Sequence, residues 1–304
     1  MGGLNLFLSL VSILLAISFY VAVERKLLGL LQWRHGPNKA GFCGLVLPLL
    51  DGVKLISKEV LRPSVSEVWL FISGPSMIFF VSFAAWLLYP VSSSSMHFEH
   101  GVLYYMCLIC VNVFGLVLCG WGSGCQYGLL GGMRAAAQSI SYELGLITVL
   151  FCVLVFMGTY DFYQMRSGGF FCLLFSLEVC LMWVVSFLAE LNRIPFDFVE
   201  GESELVSGYM VEYGGILFVL IILSEYGSVI FTSVLTVVLF LSALPAVSIL
   251  SDGGFVLMAV VLSLVIISLR GSLPRYRYDK LMGFCWKLLL PVSTGFLLLS
   301  LVSV

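Results

Sequence analysis

Charge is what this chain has least of. Only 11% of its 304 residues are Asp, Glu, Lys or Arg, against 61% hydrophobic residues, and the mean hydropathy is +1.09. A soluble domain of that composition aggregates, so a soluble enzyme is excluded, and no nucleic-acid partner is expected. Histidine is scarcer still: His35, His97 and His100 are the only three, all in connections between apolar runs. Axial haem ligation needs histidines facing each other inside a bundle, so haem is not expected. Cysteine is present nine times but without the four-ligand spacing that zinc or iron–sulfur sites need. Cys107 and Cys110 form a lone C-x-x-C inside an apolar run. The cysteines therefore read as small apolar core residues, with no metal site. Phosphate loops, nucleophile elbows and metal-binding histidine pairs are missing too. Gly120, Gly122, Gly124, Gly128, Gly131 and Gly132 cluster, and close helix packing with a flexible loop accounts for them better than nucleotide binding.

What is present is long apolar runs. They predict an all-α polytopic membrane protein forming a single membrane domain over 1–304, with about eight transmembrane helices near 4–23, 68–89, 101–121, 135–157, 169–189, 213–240, 253–269 and 287–304. The first charge is Glu24, so the first helix is expected to direct insertion, without a cleavable leader. The stretch 213–251 has room for one tilted span with a tail or for two. Charge decides. With eight spans, 14 of the 15 Lys and Arg fall on one side and only Arg166 on the other. Splitting that stretch would move the cluster from Arg270 onward to the wrong face, so the positive-inside rule favours eight spans, both termini on the depleted side. The first connection holds an amphipathic segment at 41–60: Asp51, Lys54 and Lys58 form one stripe, and Leu49, Val53 and Ile56 another. A surface helix that merely seals the bundle is the competing explanation.

The remaining signal is acid held near lipid. Within 189–215 lie Glu190, Asp197, Glu200, Glu202, Glu204 and Glu212, with Arg193 the only base. Glu143 falls a third of the way into span four, Glu190 ends span five, Glu212 begins span six and Glu225 sits inside it. If their segment is helical, Glu200 and Glu204 share a face. A row of carboxyls in low dielectric cannot all ionise, and this is the physical requirement for a proton relay. The competing explanation is pairing of each acid with Arg25, Arg134 or Arg193 for packing alone. Glu178, in the middle of span five, is expected to be neutral and hydrogen-bonded to a neighbouring helix or subunit.

Four motifs carry a resemblance: VERKLLGLLQWRHGPNKAG at 23–41, RAAAQSISYE at 134–143, AELNRIPFDFVEGESELVSGYMVEYGG at 189–215 and LPRYRYDKLMGFCWK at 273–287. In these, and in order along essentially its whole length, the chain resembles the NADH dehydrogenase subunit 1 family, the quinone-site membrane subunit of respiratory complex I in its mitochondrially encoded form. The resemblance implies a proton-translocating NADH:ubiquinone reductase of the mitochondrial inner membrane. This multi-pass chain would form much of the quinone tunnel, with both termini on the intermembrane-space side. It implies no redox centre and no cofactor in this chain. Ubiquinone would be the substrate, with NADH, FMN and iron–sulfur clusters on other subunits. The partners implied are the hydrophilic quinone-site subunits of the peripheral arm, the small membrane subunits next to the antiporter-like chain, and membrane lipid. By the same resemblance Glu24, Arg25, Arg34, Arg134 and Arg193 lie near the quinone chamber. Asp51, Glu143, Glu190, Glu200, Glu202, Glu204, Glu212 and Glu225 lie on a proton path. Arg270, Arg275 and Arg277 form a basic matrix-side connection. The sequence departs from the family pattern at Trp33 and His35, at Gly52 where alanine is usual, and at Glu178. Two other readings compete: the homologous anchor subunit of a membrane-bound hydrogenase, and a stand-alone proton or cation transporter. The latter should show an inverted repeat, and none is visible.

Overall fold

A computed structural model of the chain describes residues 2–60, 62–90, 98–167, 177–197, 206–242 and 251–303. Glu200, Glu202 and Glu204 lie outside the described residues, as do His97 and Cys172. The described residues form helices and no strand: α1 (Gly2–Leu31), α2 (Leu47–Ser57), α3 (Val68–Ala85), α4 (Gly101–Gly122), α5 (Gln126–Met157), α6 (Phe162–Ser167), α7 (Leu177–Glu190), α8 (Gly215–Thr236), α9 (Ser251–Ser272), α10 (Tyr278–Phe284) and α11 (Leu290–Ser303). A π segment, Val237–Leu241, extends α8, and another, Cys285–Leu289, joins α10 to α11. The second lies just before Pro291, whose ring would crowd the Lys287 carbonyl in a regular α-turn. The wider turn accommodates it.

Among the described residues seven helical stretches are long and apolar enough to cross a membrane, the last of them α10, its π segment and α11 taken together. They correspond to all the predicted spans but the fifth. Of that one, 169–189, the described part is α7. Helix ends differ from the expected ones where polar residues continue an apolar run. Helix α5 begins at Gln126 rather than near 135, so Glu143 lies near its middle. At 32 residues it is ~48 Å long against a hydrocarbon core of ~30 Å, so its Gln126–Arg134 end projects beyond the core. Helix α8 begins at Gly215, which leaves Glu212 in the preceding connection rather than at the start of the span.

The connections gather at two ends of the bundle. At one end Glu24 of α1 pairs with Arg270 of α9, Asp197 pairs with Arg275, and Tyr276 N–H donates to the Pro195 carbonyl at 3.0 Å. There too Gly215 passes the Lys58 carbonyl, Gly124 the Val65 carbonyl and Gly131 the backbone of Tyr209. At the opposite end Val102 N–H donates to the Tyr160 carbonyl at 3.2 Å, and Arg166 reaches both the Pro90 carbonyl and Asp252. The four connections carrying 14 of the 15 Lys and Arg therefore share one end.

Helix α5 packs against α4, α7 and α11. Tyr142 donates to the Leu281 carbonyl at 2.9 Å, and the Thr148 and Ser293 hydroxyls bond at 2.7 Å, so the polar atoms of this buried helix are used to join it to its neighbours. Against α4, the approach is so close that a Cβ on Gly120 would stand 2.8 Å from the Gly132 Cα. Small residues are needed at such a crossing.

Helix α2 is shorter than the expected 41–60 segment: Pro48 opens its first turn and Lys58 lies past its end. It buries none of its residues, and Leu49, Val53 and Ile56 are exposed on this chain. The cysteines also divide. Cys119, Cys152 and Cys285 are buried, as a core role requires, but Cys43, Cys107 and Cys110 are exposed, because their faces of the chain are not covered by the bundle.

Candidate functional site

The site is built where α7 stops. Asn192 takes a left-handed conformation (φ 50°), which Asn tolerates better than most residues. Its N–H donates to the Ala189 carbonyl at 3.3 Å and that of Arg193 to the Leu188 carbonyl at 3.2 Å, satisfying helix-end carbonyls. Gln138 of α5, fully buried, donates to the carbonyls of Ala189 and Phe196, each at 2.9 Å. These bonds hold the 189–197 segment against α5. They turn Arg193 back into the bundle, where its guanidinium lies 4.3 Å from the ring centre of Tyr226. Tyr226 in turn packs edge-on against Tyr20.

Two cavities meet in this region. A small one of about 10 Å³ is lined by Arg193, Asp197 and Arg270 with Leu191, Asn192, Ile194, Tyr209 and Glu225. A larger one of about 80 Å³ runs between α3, α4 and α8, and Glu190, Tyr209 and Glu225 reach it. Its remaining polar groups include Ser82, Asn112, Ser224, Ser228 and Thr232. The last three recur every four residues along one stripe of α8. Ser224 and Ser228 also donate back to their own helix, at 2.6 and 2.7 Å. A water needs roughly 10–15 Å³, so the smaller cavity matches about a single water and the larger a short file. The larger cavity mixes apolar side chains such as Ile78, Leu108 and Phe231 with these polar groups, and it is polar groups that a bound water needs.

A family model described as NADH dehydrogenase matches residues 4–301. The chain belongs to the NADH dehydrogenase family. Among curated relatives, NADH-ubiquinone oxidoreductase chain 1 of Artemia franciscana is 43% identical over 295 residues, covering 96% of this chain and 95% of the relative. The protein of the same name from Mytilus edulis is 41% identical over 285 residues, 93% and 91% of the two chains. That of Cyprinus carpio is 39% identical over 293 residues, 95% and 90%.

In this member of the NADH dehydrogenase family the acids expected on one path do not form one group. Glu190 and Glu225 line the same cavity. Glu143 is buried, accepts a hydrogen bond from the Cys110 thiol and lines neither cavity. Asp51 is not with them: it is half-exposed on α2 and binds Arg25 at 2.8 Å. Glu212 is half-buried in the connection and lines neither cavity. Glu200, Glu202 and Glu204 lie outside the described residues.

The expected chamber residues divide as well. Glu24 is buried and pairs with Arg270, so the cation expected in a basic connection is part of the inner cluster. Arg25 and Arg34 are at the surface, the latter donating to the Gln32 side chain at 2.9 Å. Arg134 stands 5.9 Å from the Tyr278 ring centre. Arg275 binds the buried Asp197 at 3.3 Å, whereas Arg277 and Asp279, at 3.4 Å, are both largely exposed. Glu178 points outward from the bundle.

Tyr209, Gln138, Asn112 and the hydroxyl stripe of α8 belong to the site without being singled out by the sequence, and Asp197 is marked there only as one of the acids of 189–215. The i, i+4, i+8 spacing of Ser224, Ser228 and Thr232 around Glu225 is the one signal that could have found the stripe.

Proposed function

We propose that this chain is a core membrane subunit of a proton-translocating NADH:ubiquinone oxidoreductase in the mitochondrial inner membrane. Its buried carboxyls pass protons, and its basic end forms one wall of the quinone passage. The observation that carries the proton role is a single cavity touched by both Glu190 and Glu225 inside an apolar bundle. Buried carboxyls beside a short file of water can receive and release protons without exposing them to lipid. Glu143, buried on α5, extends the path.

The quinone passage is assigned to the basic end. The buried Glu24 and the half-buried Arg193 and Arg270 supply a charge cluster there. Arg25, Arg34 and Arg134 present cations at its surface, where the hydrophilic quinone-site subunits of the peripheral arm complete the wall. That end faces the matrix, and both termini face the intermembrane space, as the cation bias requires. NADH, FMN and iron–sulfur clusters belong to other subunits, and this chain supplies walls, fields and carboxyls. Charge and proton uptake at the chamber shift the protonation of the acids, which hand protons on toward the antiporter-like subunits.

The assembled complex tests this reading. Glu190→Gln retains shape and hydrogen bonding but carries no proton. Oxidation of NADH by an acceptor that takes electrons at the flavin should persist, while proton translocation with ubiquinone falls by about 10-fold or more. Normal translocation in that variant would make the cavity structural.

A further inference from the structure

Four residues line both cavities: Leu191, Asn192, Tyr209 and Glu225. Of these only the phenol of Tyr209 and the carboxyl of Glu225 both take up and give up protons. They are joined directly, the Tyr209 hydroxyl donating to Glu225 Oε1 at 2.6 Å. Tyr209 is 1% exposed, and its place is set by three elements. Its backbone runs so close to α5 that a Cβ on Gly131 would stand 2.7 Å from its nitrogen. Four residues on, Tyr213 stacks on Phe71 of α3 with ring centres 4.4 Å apart and donates to the Cys119 carbonyl of α4 at 3.1 Å. A hydroxyl on an otherwise irregular connection is thereby aimed at one carboxyl on α8.

We propose that Tyr209 positions Glu225 and relays protons between the two cavities. This rests on the reading of the larger cavity as a proton path. In the relay, a hydronium in the small cavity, beside Arg193 and Arg270, gives a proton to the phenol oxygen as the phenol O–H proton passes to Glu225 Oε1. One O–H bond forms and one breaks at the phenol, which ends neutral, and the carboxylate becomes a carboxylic acid. The protonated carboxyl then faces the larger cavity, where Ser228 and Glu190 lie. The other two shared residues offer no substitute: Leu191 is apolar, and an amide such as Asn192 exchanges protons too slowly to carry turnover.

The test is a pair of variants and their combination in the assembled complex, reading proton translocation per NADH oxidised by ubiquinone. NADH oxidation at the flavin reports assembly. Tyr209→Phe keeps the ring and removes the hydroxyl. It and Glu225→Gln should each lower translocation by about 10-fold or more, and the double variant should be no lower than Glu225→Gln alone, because the two groups act as one link. The infrared carboxyl band lost in Glu225→Gln should shift in Tyr209→Phe, which a merely structural tyrosine would not cause. Tyr209→Met, of similar bulk, is read in the same way if the Phe variant does not assemble. A normal Tyr209→Phe beside a defective Glu225→Gln overturns the role of Tyr209 and leaves the path standing. Additive losses place Tyr209 elsewhere and overturn it equally. A normal Glu225→Gln removes the path itself, and the relay with it.

Discussion

Arg25 is a cation whose environment separates stability from function. Its partner is Asp51, not the adjacent Glu24, and the two side chains are 48% and 43% exposed. A pair so open to water contributes no more than ~1 kcal/mol. Arg25→Ala should therefore leave the complex assembled. If Arg25 lines the quinone passage, the loss of a charge-assisted hydrogen bond raises the KM for ubiquinone about 10-fold, with flavin-site activity unchanged. An unchanged KM in the assembled variant removes Arg25 from the passage. Glu143 stands at the other extreme, buried and bonded by Cys110. Glu143→Gln should assemble and lose most of its coupled turnover, by about 10-fold or more; normal pumping would make it a packing residue. For Glu178, exposed on α7 and lining neither cavity, the expected result of Gln substitution is silence in assembly and in pumping, because the shape and hydrogen-bonding capacity of the side chain are retained. Loss of translocation in an assembled complex would bring it into the relay. At this scale the acids were legible because ionisable groups in apolar runs are rare. Their partners were not. Nothing in the spacing of Arg270 shows that it folds back 246 residues onto Glu24, and Tyr209 carries no charge to draw attention.

Helices were legible in kind and less so in extent. Apolar runs mark the part of a helix that lies in lipid, and backbone hydrogen bonding does not stop where lipid does. Helix α5 therefore runs nine residues ahead of the expected start at 135, through the glycines that pack it on α4. Those glycines make a prediction at the same scale. A Cβ at Gly120 would meet the Gly132 Cα at 2.8 Å and the Gly128 carbonyl at 2.9 Å. Both are backbone atoms with no rotamer to yield. Gly120→Val should separate α4 from α5 at a cost of ~1–3 kcal/mol or more and reduce the assembled complex on native gels. Gly52, with nothing within 4 Å of an added Cβ, is the control: Gly52→Ala should assemble as well as the parent, and a defect there would show that α2 is covered by something other than lipid.

Over the whole molecule the asymmetry of charge and the architecture give the same answer by independent routes. Counting Lys and Arg along an eight-span chain places 14 on one side. The Glu24–Arg270 and Asp197–Arg275 pairs, with the Tyr276 to Pro195 bond, bring the connections themselves together. Arg166, the one cation of the other end, is held by the Pro90 carbonyl and Asp252 and lies 4.5 Å from the Phe255 ring centre. Its charge is matched locally, so it adds little to the field that orients the chain. Which side of a membrane the basic end faces is set during insertion by that charge bias. Single cysteines placed at 39 and 277 should accordingly be labelled together by an impermeant thiol reagent added from the matrix side, and cysteines at 100 and 163 from the opposite side. Labelling of position 277 from the side that reaches 100 would break the eight-span arrangement. Labelling of all four with the sides exchanged would keep the bundle and reverse the proposed direction of proton uptake.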